Sequence, residues 1–167
     1  MFLHYPPGDY EQDDFWVPDP LDLYAWNAET GERRKLAVGA IRAFLDPTGS
    51  RVALFMDGKP QMGPDGPTVT ESSCPYLALL SWPEWQLVGS YPLGGESRFA
   101  RDWPGPIWSV DGARLVFQPW EDSLFWMDRD GKVGPILSGI EVQWAGWGAD
   151  GILALLIDGR IWLVRLP

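Results

Sequence analysis

Leu45-Asp46-Pro47-Thr48-Gly49-Ser50-Arg51-Val52-Ala53-Leu54 is a stretch whose plan the chain uses three times. It returns as Trp108-Ser109-Val110-Asp111-Gly112-Ala113-Arg114-Leu115-Val116-Phe117 and as Trp147-Gly148-Ala149-Asp150-Gly151-Ile152-Leu153-Ala154-Leu155-Leu156. Each copy has a bulky apolar residue four before the glycine, an Asp one or three before it, and an apolar run after it. Glycine supplies the positive φ of a tight turn, and Asp caps such turns through its side chain. The three glycines stand 63 and 39 residues apart. Recurrence on that scale predicts repeated β modules rather than one irregular sheet.

Working outward, the segments between these turns read as further hairpins. Leu21–Trp26 leads through Asn27–Glu32 into Arg33–Val38, and Tyr76–Leu80 through Ser81–Trp85 into Gln86–Tyr91. Ser123–Met127 leads through Asp128–Lys132 into Val133–Leu137, and Ile161–Val164 begins a fourth. Val52–Met56, Leu115–Phe117 and Ile152–Ile157 are continuous apolar runs, which predict strands covered on both faces. Helix is poorly supported: 16 prolines and 19 glycines punctuate the chain, and the best helical window, Glu32–Ala43, contains Gly39.

The expected organisation is a single domain over 1–167. Residues 1–20 form an irregular acidic arm, 21–38 a half repeat, and 39–93 a repeat carrying an insertion at 57–75. Residues 94–137 form a second repeat and 138–167 an incomplete one. The insertion is rich in Gly and Pro and predicts a protruding surface loop. Met1–Tyr5 is expected to add a strand to the last sheet.

The 167 residues include 11 Trp, 7 Phe and 5 Tyr, with 23 Asp+Glu against 13 Lys+Arg and a formal net charge of −10. Each buried ring removes roughly 150–250 Å² from water, so a core built of large flat groups is expected. The negative balance argues against nucleic acid and against an anionic membrane surface as partners, because both require cationic side chains to displace counterions. One cysteine, Cys74, excludes an internal disulfide framework. No basic leader followed by a long apolar run opens the chain, so a cytoplasmic location is expected.

These hairpins resemble the repeats of β-propellers of the WD-repeat and TolB-like kind. Leu23-Tyr24-Ala25-Trp26-Asn27-Ala28-Glu29-Thr30-Gly31-Glu32 is similar to a WD-repeat strand and turn, and also to the repeat of quinone-dependent dehydrogenases. Asp158–Leu163 echoes the same pattern, and Ser109–Phe117 resembles the inner hairpin of TolB-like repeats. The resemblance spans about 21–167 and lacks the Gly-His and Trp-Asp pairs of strict WD repeats. It implies an all-β, partial or small β-propeller of four-stranded antiparallel blades, with about 13–14 strands, serving as an interaction platform. No cofactor site carries over.

Chemistry-bearing residues are sparse. His4 is the only histidine, so a nucleophile–histidine site would have to use it with Cys74 or a serine, and one Cys with one His cannot build the usual four-ligand zinc set. The acidic residues between Asp9 and Asp22 lack the spacing of a calcium loop. No catalytic, cofactor or metal residue is assigned, and a non-enzymatic protein-binding module is the expectation, completed by a second copy or by docking on a partner. Its contact residues are expected to be Asp13, Asp14, Phe15, Trp16, Trp82, Trp85, Trp103 and Trp120, where aromatics lie beside Pro or acidic residues in turns. Trp26, Trp108, Trp126, Trp144, Trp147 and Trp162 lie on strands and are expected in the core. The alternative is an acidic immunity- or inhibitor-type protein that neutralises a basic partner. A lectin or small hydrolase using aromatic platforms ranks below both.

Overall fold

A computed structural model of the chain describes residues 2–3, 21–64, 66–94, 106–120, 122–148 and 150–166. Every element among them is a strand, thirteen in all, and every pairing is antiparallel. The first sheet has six strands in sequence order: β1 (Phe2–Leu3), β2 (Leu21–Trp26), β3 (Arg33–Leu45), β4 (Arg51–Gly63), β5 (Gly66–Ser81) and β6 (Leu87–Pro92). The second has four, ordered β10 (Val133–Ser138), β9 (Ser123–Asp128), β8 (Arg114–Phe117) and β7 (Ile107–Trp108). The third has three: β11 (Trp144–Trp147), β12 (Ile152–Ile157) and β13 (Arg160–Arg165). Only the second sheet therefore has the four strands expected of each repeat.

The three repeated turns do form, and they join β3 to β4, β7 to β8 and β11 to β12. Gly49, Gly112 and Gly151 take φ of 71°, 66° and 69°, the left-handed region that glycine enters without steric cost. In the first turn Asp46 is buried and accepts from the backbone N–H of Ser50 at 2.7 Å and of Arg51 at 2.8 Å. In the second, Ser109 holds the equivalent place, accepting from the Arg114 N–H at 2.9 Å and donating to Asp111 at 2.6 Å. The third has Gly148 there and closes one residue shorter, through Gly148 N–H to Ile152 O.

Two apolar clusters hold the sheets. Along β4, Ala53 and Phe55 enter one, while Val52, Leu54 and Met56 enter the other. On β5, Leu77 and Leu79 alternate with Ala78 and Leu80 in the same way. The first cluster joins the first sheet to Leu115 and Phe117 of the second and to Leu153 and Leu155 of the third. The second lies against Leu23, Leu36 and Ala40, on the far side of the first sheet. Both faces of β4 and β5 are thus covered, as their unbroken apolar runs require.

The far side is covered by the part of the chain read as a loop. Residues 57–75 are not an irregular insertion. They extend β4 and β5 into a paired arm, with Gly58 opposite Ser72, Pro60 opposite Val69 and Gly63 opposite Gly66. Register shifts at Met56/Gly58 and Gly58/Pro60 bend the arm away from the line of the hairpin, as bulges do. The bent arm lies on β3: Val69 packs into the far cluster, and a Cβ at Gly39 would stand 3.1 Å from it. At the arm's tip a Cβ on Gly66 would collide with the Leu36 carbonyl and the Trp85 indole nitrogen, so only glycine lets the tip settle there.

Two other expectations change. The half repeat at 21–38 is not separate from the next unit, because β3 runs through Val38–Gly39 and pairs with β2 at one end and β4 at the other. The N-terminal strand does not join the last sheet: Phe2 and Leu3 pair with Tyr24 and Leu23 of β2.

Two measurements follow from this packing. Excising residues 58–73 leaves Asp57-Cys74-Pro75 to close the hairpin, yet removes Val69 and the Gly66 tip from the far cluster around Leu36 and Trp85. At about 1.5–3 kcal/mol per uncovered large side chain, calorimetry should show a melting temperature many degrees lower, whereas a dispensable loop would leave it unchanged. The second concerns acid. Burial pulls the Asp46 carboxyl up, but hydrogen bonds from the Thr48 hydroxyl, the Arg51 and Ser50 N–H groups and the Ser50 hydroxyl more than offset it, so its pKa lies below the ordinary carboxylate value. A carboxyl lower in the folded than in the unfolded chain contributes stability above the unfolded pKa, about 4, that is lost as pH falls through the folded pKa. Urea midpoints should therefore fall from pH 5 toward about pH 2, and Asp46→Asn should flatten part of that fall; an unchanged slope would contradict the assignment.

Candidate interaction surface

The strands that precede the second and third repeated turns each carry a side chain that reaches the sheet before them. Trp108, four before Gly112, donates its indole N–H to the Phe44 carbonyl of β3 at 3.4 Å. Trp147, four before Gly151, donates to the Ile107 carbonyl of β7 at 3.0 Å. Phe44 and Ile107 are themselves equivalent, each one residue before the turn's bulky apolar position. A partly buried indole N–H needs an acceptor, and the repeat spacing supplies one from the neighbouring sheet. These two bonds set β3, β7 and β11 side by side.

An open groove of about 570 Å³ runs over the strands so aligned. Phe44 and Leu45 line it from β3, Pro106, Ile107 and Trp108 from β7, and Trp144, Ala145 and Gly146 from β11. None of these side chains titrates. Among the described residues the groove's lining supplies aliphatic and aromatic contact area and backbone carbonyls. Among the described residues no group of three or more His, Cys, Asp and Glu could hold a metal ion, and no helix is long and apolar enough to cross a membrane.

Trp144 and Gly146 of this lining also belong to the outward face of the third sheet. Register places Trp144 beside Leu156 and Ile161, and Gly146 beside Ala154 and Leu163. Leu153, Leu155 and Ile157 point the other way, into the core. Ile161 is 74% exposed, Leu163 71% and Trp144 49%, with the Trp144 ring lying over Gly146. Among the described residues the unbroken apolar run of β12 is buried on one face and only partly covered on the other, contrary to the reading from its sequence.

The tryptophans sort differently from their sequence contexts. Trp85, expected at a contact surface, is buried: its N–H bonds the Leu36 carbonyl and its ring meets Trp82 edge-on at 5.5 Å. Its φ of 59° is costly for a bulky residue, and that burial offsets the cost. Trp120 is 44% exposed and lids an aromatic cluster, 6.0 Å from Phe125 and 6.4 Å from Tyr91. Of the expected contact residues, Trp82 and Trp85 come together and Trp120 stands in a separate cluster. Asp13, Asp14, Phe15, Trp16 and Trp103 lie outside the described residues, as does His4. Conversely Trp26, Trp144 and Trp162, expected in the core, are 51%, 49% and 54% exposed. Trp108, Trp126 and Trp147 pack against the main core as expected.

No family model matches the chain, and none of the curated proteins matches it in sequence.

The indole bonds make a direct test. Trp147→Phe keeps the ring and removes the donor, leaving the Ile107 carbonyl short of a partner, so urea unfolding should show a loss of about 1 kcal/mol. Trp108→Phe, whose bond is longer, should cost less. Equal or absent effects would mean that the indoles only fill space.

Proposed function

We propose that this chain is a non-enzymatic protein-interaction module built from propeller-like repeats, completed by a second copy of itself or by docking on a partner protein. The recurring indole-to-carbonyl bonds support a radial arrangement of repeats, and the groove that they align is the counterpart of a propeller's central channel, left open. The observation that carries the proposal is the outward face of the third sheet. Trp144, Ile161 and Leu163 stand exposed on it, while the corresponding face of the first sheet is buried beneath its own arm. Contiguous exposed apolar surface of this kind marks interaction sites in soluble proteins. Covering Ile161, Leu163 and Trp144 is favourable by roughly 1.5–3 kcal/mol for each side chain fully removed from water.

The double variant Ile161→Glu/Leu163→Glu tests this, because neither side chain contributes to the core clusters. Sedimentation from about 1 to 200 μM should show association of the wild-type chain that the variant lacks, at unchanged melting temperature. If the wild type stays monomeric, cross-linking in native lysate should yield a defined adduct that the variant loses. A monomeric wild type whose lysate adducts match those of the variant would overturn the proposal.

A further inference from the structure

The third sheet also has an open border, at the side away from the groove. β13 pairs with β12 along its whole length, from Arg160 opposite Ile157 to Arg165 opposite Ile152, with no shift of register. No described strand pairs with its other side. Proteins blunt free strand edges with prolines, bulges or inward-pointing charges, because a bare edge templates a further strand. β13 has none of these in its middle. Ile161-Trp162-Leu163-Val164 is regular and apolar, and the first three residues are more than half exposed. Charge is confined to the two ends, where Arg160 and Arg165 are both exposed and take part in no ion pair among the described residues.

We propose that the free edge of β13 takes an extended protein segment as a fourth strand, and that this segment carries carboxylates five residues apart around an apolar centre. Strand addition draws affinity from the backbone ladder and specificity from side chains at alternate positions. Five residues of strand span about 17 Å, so carboxylates at that spacing meet both arginines at once. The odd spacing puts Arg160 on the core-side face and Arg165 on the outward face, and it does the same to the two carboxylates of an antiparallel segment. A second copy of β13 fits worse: paired in register, antiparallel strands set Arg160 against Arg165 and parallel strands set each arginine against itself. Like charges directly opposite are destabilising. This edge is separate from the groove, and its occupancy does not require that the sheet face dimerise.

The test uses the intact chain with two labelled ten-residue peptides, one centred on Glu-Val-Thr-Val-Thr-Glu and the other with both Glu replaced by Lys. Fluorescence anisotropy should give saturable binding of the acidic peptide that weakens with salt, and roughly tenfold weaker binding of the basic one. Arg160→Glu/Arg165→Glu should invert that preference without changing the melting temperature. In ¹⁵N spectra the acidic peptide should move the amides of 160–165 and leave the Trp108 indole unmoved. Equal affinity for both peptides, no saturation by about 1 mM, shifts that map to the groove, or β13 amides already protected on both sides without peptide would each overturn the proposal. None of these results bears on the Ile161→Glu/Leu163→Glu sedimentation test.

Discussion

The burial of both apolar faces of β4 and β5 is the constraint on which the rest of this structure depends. β4 and β5 place consecutive side chains in two different cores, so neither strand can lie at the surface of a one-layered sheet. On one side the cover comes from the second and third sheets. On the other it comes from the strands' own continuation, bent back at two bulges and seated on β3 through Val69 and the Gly66 tip. Among the described residues the third sheet has no such arm, so the residue type that is covered on the first sheet stands exposed on the third.

The inter-sheet indole bonds connect that packing to the groove. Trp108 and Trp147 occupy one repeat position and use one acceptor position in the preceding sheet. A side chain that fixes the order of the sheets therefore also shapes the groove between them. Its lining is apolar, and the two depressed carboxyls, Asp46 and Asp111, are engaged in capping their own turns. The described lining residues offer shape and apolar area.

The repeated hairpins were legible because a positive-φ glycine with a capping Asp or Ser is a local device, readable within ten residues. Gly49, Gly112 and Gly151 each close the turn that the sequence predicts. The arm was not legible. Between Gly58 and Gly66 its strands are full of Gly and Pro and show little alternation, and what stabilises them is contact with Leu36 and Trp85, 30 and 19 residues from Gly66 in sequence. The tryptophans misled for a related reason: a strand position tells which face a side chain takes, not whether another sheet lies beyond it. Trp144 and Trp147 sit three apart on one short strand, on opposite faces, and only Trp147 finds a neighbour. Trp85 gave the opposite error, because a turn between Pro and Glu neighbours looks exposed until the arm is laid over it.

Hydroxyl-radical footprinting of the dilute chain measures this asymmetry directly, residue by residue. The account predicts strong protection of Leu36, Met56 and Trp85 beneath the arm, together with rapid oxidation of Trp144, Ile161 and Leu163 on the outward face of the third sheet. Comparable protection of both sets in the dilute monomer would contradict it, because the third sheet would then be covered within the chain itself.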